Sequence, residues 1–326
     1  MQLGPIRFQR HFLEKVWGGR ALERRPGIAL PSDVAIGETW EVVDRETENS
    51  VVAEGGFEGA EGHTLRQLME SHGDALLGKA PVGKQGRFPL LVKYIDAADN
   101  LSVQVHPDDA TAAAIGGTAE AKTEAWYVVD AGPEGVLYAG LRPDVTREEF
   151  AQVASTEGVL ELLLRWEVQP GDCMMVPGGT VHAIGAGVTI LEVQQNSDTT
   201  YRIWDWGRPR ETHVDQALRA TSFGAPERGP VRPVWLDEGG HRKAHLARSK
   251  HFGMNALSIT DETRFSTGGQ FQLYAVVQGS GSLRTKEGPA RMLSAGDVWM
   301  VPAVCGYHHV VPDGGPLELV QMLHRA

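Results

Sequence analysis

The amino-acid sequence predicts a mainly β protein made of two similar β units with a few short helices, and three observations predict it. Glycine fills 39 of 326 positions and proline 18; glycine at about 12% against a typical ~7% implies many tight turns between short strands. Runs such as FPLLVKYIDA (88–97) and KTEAWYVV (122–129) are rich in β-branched and aromatic residues, as strands require. The stretch VQPGDCMMVPGGTVHAI at 168–184 is echoed by MLSAGDVWMVPAVCGYHHV at 292–310, the two sharing G-D-x-x-x-V-P. A loop, strand and turn that recur once imply two related units, whereas a solenoid needs at least three stacked repeats.

Taken along the chain, residues 1–60 carry short apolar runs such as TWEVV and SVVAEG between glycines and prolines, the pattern of strands. Thr64 to Leu77 is a helix: Thr64 can cap it, Leu65, Leu68, Met69 and Leu76 keep helical spacing, and Gly78 ends it. A second helix is expected from Thr146, where Glu149 would complete a capping box and Phe150 and Val153 would face inward. Residues 208–248, with Pro209, Pro226, Pro230 and Pro233, have no sustained period and are expected to connect the units. The division expected is 1–225 for the unit carrying the chemistry and 226–326 for a supporting one, a size consistent with two domains.

Acidic residues outnumber basic ones by 42 to 31 for a net charge of −11, so no global positive field exists to hold nucleic acid or an anionic membrane. A phosphate-bearing ligand would need a local basic cluster. Cys173 and Cys305 are the only cysteines, which excludes a disulfide framework and a four-cysteine zinc site. No stretch approaches the roughly 18 apolar residues of a membrane span. The first residues lack a long apolar core and a small-residue cleavage site. A reducing cytoplasm is therefore the expected location.

The segment 101–106 alternates apolar and polar without a break. In a strand, Ser102, Gln104 and His106 then share one face while Leu101, Val103 and Val105 pack on the other. Alternation usually means one wet face, but the same face can line a cavity. Lys122 and Glu124 sit two apart, a surface ion pair by the bland account, except that Trp126 continues their face. His182 follows the PGGT turn, where a lone histidine is more often a satisfied core residue. Together, two imidazoles, one carboxylate and one amide form a plausible four-ligand set for zinc or another late divalent ion, His106, His182, Glu124 and Gln104. If residues 202–208 are extended, Arg202, Trp204, Trp206 and Arg208 share a polar-aromatic wall suited to phosphate or an enediolate, or else to plain stacking.

With VWGG, IGETWEV, FPLLVKYIDA, LSVQVHPDD, KTEAWYV, PGDCMMVPGGTVHAI and EVQQNSDTTYRIWDWGR in place, the chain resembles the type I mannose-6-phosphate isomerases, in their short bacterial form. LSVQVHPDD with SDTTYR is the most specific part, and the resemblance covers nearly the whole chain. It implies a pair of cupin jelly rolls, one zinc ion on Gln104, His106, Glu124 and His182, and interconversion of mannose 6-phosphate and fructose 6-phosphate. It further implies Lys93, Lys122, Glu192 and Arg202 as active-site residues and Ser102 and Arg208 as phosphate contacts. The second unit departs from the pattern: Tyr307 stands where His182 would be matched, followed by His308 and His309, and the strand upstream has no histidine. One metal site, in the first unit, is expected, with His308 and His309 structural or on the surface. The base that shuttles the proton is Glu192 or Lys122, which the residues alone leave open. An iron oxygenase and a non-catalytic sugar-phosphate-binding cupin are the rival readings. A small sugar phosphate is the expected partner, with monomer or homodimer left open.

Overall fold

A computed structural model describes residues 3–324. Two antiparallel sheets build each unit. In the first, a six-stranded sheet runs in the order Cys173–Val176, Glu124–Ala131, Val188–Gln195, Leu90–Ala97, Ile36–Val42, His11–Gly19. It faces a five-stranded sheet ordered Tyr201–Trp204, Val103–Val105, His182–Ile184, Val136–Leu141, Leu163–Glu167. In the second, an eight-stranded sheet is centred on Phe252–Ile259, Leu317–His324, Gln272–Gln278 and Val298–Val301, and a four-stranded sheet runs Thr263–Ser266, Tyr307–Pro312, Ser280–Thr285, Arg291–Ser294.

The two large sheets meet back to back. Val92, Tyr94, Leu191 and Val193 of one pack in a single core with Met254, Leu273, Met300 and Val320 of the other. Every residue of Leu90–Ala97 is buried as a result, and a strand covered on both faces is apolar almost throughout. Lys93 and Asp96, on opposite faces, are the charged exceptions. The helix Leu65–Leu77 closes the same core with Leu65, Leu68 and Leu76. Its N-terminus is a complete capping box: Gln67 N donates to Thr64 Oγ1 and Thr64 N to Gln67 Oε1.

The repeat has a physical basis. Gly171 and Gly296 adopt φ of 95° and 101°, a region that favours glycine. The aspartates that follow then accept matching bonds, Asp172 from Gln169 N and Asp297 from Ser294 N. Each turn delivers a buried strand, Cys173–Val176 or Val298–Val301.

Three expectations change. The N-terminal strands Ile6–Phe8 and Val52–Gly55 join the sheet of the second unit, Ile6 pairing with both Met300 and Gly55. The stretch 208–248 is more than a connection: it holds the helix Val214–Ala220 and the strand His241–Arg248. At the helix Arg147–Val153, Thr146 caps Glu149 N, which is half of the expected box.

Candidate metal centre

The five-stranded sheet presents Gln104 and His182 as direct neighbours in register, with Arg202 opposite Gln104 on the next strand. The six-stranded sheet presents Lys93 and Glu192 as an opposed pair and Glu124 at the start of its strand. His106 and Lys122 lie just beyond the ends of strands from the two sheets. The alternation expected over 101–106 is realised over 102–105, with Val103 and Val105 in a core and Ser102 and Gln104 lining a cavity; Leu101 lines that cavity too, and His106 is not among its lining residues.

One nitrogen or oxygen from each of His106, Glu124 and His182 lies within 4.8 Å of the others, and all three residues are buried. Gln104 Nε2 is 3.2 Å from His182 Nε2. His106 Nδ1 bonds the carbonyl of Thr199 and His182 Nδ1 that of Thr180, both at 2.8 Å. A carbonyl only accepts, so each Nδ1 carries the proton and each Nε2 lone pair points into the cluster. Burial, with the Lys122 charge beside them and, for His106, the neighbouring His182, holds His106 well below the ordinary histidine value and His182 down to about 4. Both rings are thus neutral at pH 7, the form that binds a cation. Glu124 Oε2 accepts no hydrogen bond although buried; its neighbour is the Lys122 ammonium at 2.8 Å. Two inward imidazole nitrogens, a buried carboxylate and an adjacent amide fit a borderline divalent ion.

A relay of alternating charges leads away from the cluster: Lys122 Nζ is 3.8 Å from Glu192 Oε1, which is 3.3 Å from Lys93 Nζ, which is 3.4 Å from Glu38 Oε2. Burial and the neighbouring Glu124 push the Glu192 carboxyl up, against the pull of Lys93 and Lys122. Burial would do the same to Glu38, but Lys93 and Lys15 outweigh it and hold that carboxyl at about 2. The carboxylates also outweigh desolvation at Lys93, raising its pKa.

These groups open into a cavity of about 330 Å³. Lys93, Ser102, Gln104, Lys122, Glu124, His182, Glu192 and Arg202 line it. The sequence reading did not single out Lys15, Glu38, Trp40, Asp198 and Arg210, which line it too. Arg208 is among the residues not brought to the lining; its guanidinium bonds Asn100 O at 2.6 Å, Asp205 and Asp99. The extended wall expected over 202–208 is not formed. The strand ends at Trp204, and Trp206 at φ 55° with Gly207 at 79° turns the chain, closed by Arg208 N donating to Asp205 O.

The second unit repeats the backbone without the charges. Val176 pairs with Glu124 in one unit and Val301 with Gln272 in the other, so Gln272 is the counterpart of Glu124. The same register matches Gln321 to Glu192 and Asn255 to Lys93. Buried His308 stands in for His182, but its Nε2 meets Tyr274 Oη at 2.9 Å, and Gln272, Gln321 and Asn255 continue the network. His309 is a surface residue beside Glu262. Among the described residues, His106, Glu124 and His182 are the single metal-competent group.

Paired antiparallel sandwiches with one such buried pocket define a cupin-type fold with a single candidate metal centre. The family model for the type I phosphomannose isomerase catalytic domain matches residues 6–134. A mannose-6-phosphate isomerase of Streptococcus mutans is 35% identical over 86% of each chain, and mannose-6-phosphate isomerase ManA of Bacillus subtilis is 34% identical over 96% of this chain and 95% of its own. The crystal structure of a Bacillus subtilis mannose 6-phosphate isomerase superposes with a TM-score of 0.86 at 30% identity, covering 98% of this chain and 99% of that one. The chain belongs to the type I phosphomannose isomerase family.

Proposed function

We propose that the chain interconverts mannose 6-phosphate and fructose 6-phosphate through an enediol, with one divalent ion, zinc by the character of its donors, held by Gln104, His106, Glu124 and His182. The observation that carries this reading is the convergence of two buried neutral imidazoles and a carboxylate, of which Glu124 and His182 line the cavity shared with Lys93, Lys122, Glu192 and Arg202. The names of the relatives support the substrate. When bound, the ion supplies Lewis acidity toward a carbonyl or hydroxyl oxygen.

The isomerisation takes the proton from C2 of the open-chain aldose and returns it to C1, while the hydroxyl proton on O2 moves to O1, so nothing is gained or lost. Glu192 accepts and returns the carbon-bound proton; burial raises its pKa, which brings a carboxylate closer to the strength a general base needs near neutral pH. Lys122 is the second candidate for that role. Lys93 holds Glu192 in place by their ion pair. Arg202 donates to the oxygen on which negative charge develops, the electrostatic help that proton abstraction beside a carbonyl requires. Ser102 and Arg208 contact the phosphate, anchoring the sugar away from the reacting carbons. The groups that carry the chemistry lie within residues 1–225, and 226–326, joined by the strands Ile6–Phe8 and Val52–Gly55, support them.

The test is metal content together with initial rates on mannose 6-phosphate, coupled to detection of fructose 6-phosphate. About one divalent ion per chain and turnover that a chelator abolishes are expected. Oxygen uptake with bound iron would favour an oxygenase, and binding without turnover a sensor.

A further inference from the structure

The residue that follows Pro209 was not expected at the site, yet Arg210 lines the cavity while Arg208 is not among the lining residues. Asp205, buried at 3% exposure, grips Arg210 in a two-pronged pair, Nε to Oδ2 at 2.5 Å and Nη2 to Oδ1 at 2.7 Å. The same Oδ1 accepts from Arg208 Nη2 at 2.9 Å. One carboxylate therefore clamps two guanidinium groups, one from the cavity side and one from the side of Asn100. This fork-on-carboxylate geometry is the most orienting of ion pairs. It uses two of the nitrogens of Arg210 and leaves Nη1 to donate elsewhere.

Arg202 stands close by. Desolvation lowers its pKa first, and the charges of Arg210 and Arg208 lower it further. Its Nε is buried with no hydrogen-bond acceptor. Three guanidinium groups thus gather around one buried carboxylate, with the exposed Asp99 meeting Arg208 from outside. Besides Asp205, the acids of this corner are Asp99 and Glu211, and the buried Arg202 Nε is left as an unsatisfied donor. A doubly charged anion is the ligand such a corner complements.

Resting on the isomerase reading above, we propose that Arg210 is the inner phosphate-binding residue and that it sets specificity for phosphorylated sugar, with Asp205 as its positioning residue. Arg208 then acts from the rim, braced by the same carboxylate.

The experiment compares Arg210→Gln, Arg210→Lys, Arg208→Gln and Asp205→Asn with the parent enzyme, each loaded with metal. Steady-state rates are measured on mannose 6-phosphate and on mannose, with inorganic phosphate as a competitive inhibitor. Arg210→Gln should raise KM for mannose 6-phosphate and KI for phosphate about 10- to 100-fold, a loss typical of a charged hydrogen bond. KM for mannose should stay put, so discrimination between the two sugars collapses. Arg210→Lys should fall between, and Asp205→Asn should weaken phosphate inhibition in the same direction; Arg208→Gln should do less than Arg210→Gln. An Arg210→Gln enzyme whose KM and KI stay within about twofold of the parent, or which loses mannose and mannose 6-phosphate equally, overturns the inference alone. A parent enzyme inactive on mannose 6-phosphate overturns the isomerase reading and this inference with it. Should Arg210→Gln not fold, the lysine variant decides by the same two constants.

Discussion

Lys93 and Glu192 stand directly opposite each other on adjacent antiparallel strands, their side chains joined at 3.3 Å inside a cavity that buries both. The cation lowers the carboxyl pKa while burial and Glu124 raise it, and the balance lies above the ordinary carboxylate value. A base works only when deprotonated, so kcat/KM should fall on the acid side with a midpoint above 4.5, the ordinary value for a glutamate. Replacing Lys93 by Met removes a lowering influence and should move that acid limb up by roughly 1 to 3 pH units. A pH-rate profile decides; a limb that does not move removes Glu192 from the role of base.

His106→Ala takes away one inward nitrogen of the cluster. Metal content measured by elemental analysis should drop far below one per chain and turnover should fall at least ~100-fold. An active variant without metal would refute the ligand assignment.

Arg202→Ala should lower turnover by about 10² to 10³, the usual effect of removing one donor to a developing oxyanion. Metal content should remain near that of the parent, since the Arg202 guanidinium hydrogen-bonds Glu211 O rather than a ligand side chain. Full activity in this variant would discard the electrostatic role.

In the second unit, His308→Leu removes one of three partners of the buried Tyr274 hydroxyl, which contacts the ring at 2.9 Å and keeps Gln272 Oε1 at 2.7 Å and Gln321 Nε2 at 3.2 Å. Stability to denaturant should fall by about 0.5 to 1.5 kcal/mol, the net worth of one hydrogen bond. Metal stoichiometry should not change. A drop in bound metal would mean that this unit shares in the site.

Thr64→Ala removes the cap of helix Leu65–Leu77 and both halves of its reciprocal bonding are affected. A loss of about 1 kcal/mol is expected from the unfolding midpoint, with activity kept, because the helix packs on the core between the sheets rather than on the cavity.

Much of this was legible from the residues because period and spacing survive folding. The alternation over 101–106 placed Ser102 and Gln104 on one face, and Thr64 with Gly78 bounded a helix whose apolar spacing was plain. The G-D-x-x-x-V-P repeat marked two strands delivered by the same glycine turn. What escaped was set by local geometry or by tertiary pairing. Two residues with positive φ, Trp206 and Gly207, broke the wall expected over 202–208; the glycine after Asp205-Trp206 and the proline at 209 were the available signal. The helix Val214–Ala220 has no side-chain cap. The strand His241–Arg248 contains no β-branched residue and owes its form to pairing with Phe252–Ile259. Lys15 and Glu38 reach the cavity from a first hairpin whose register slips between Glu14 and Gly19, which periodicity does not encode.

The sheet holding Lys93 and Glu192 keeps its other face against the companion unit through Val92, Leu191 and Val193. That companion has traded each charged counterpart for an amide and turned inward upon itself. On the reading proposed above its contribution to the reaction is environmental: by shutting water out from behind the reactive sheet, an unreactive twin determines how strongly its partner's charges feel one another.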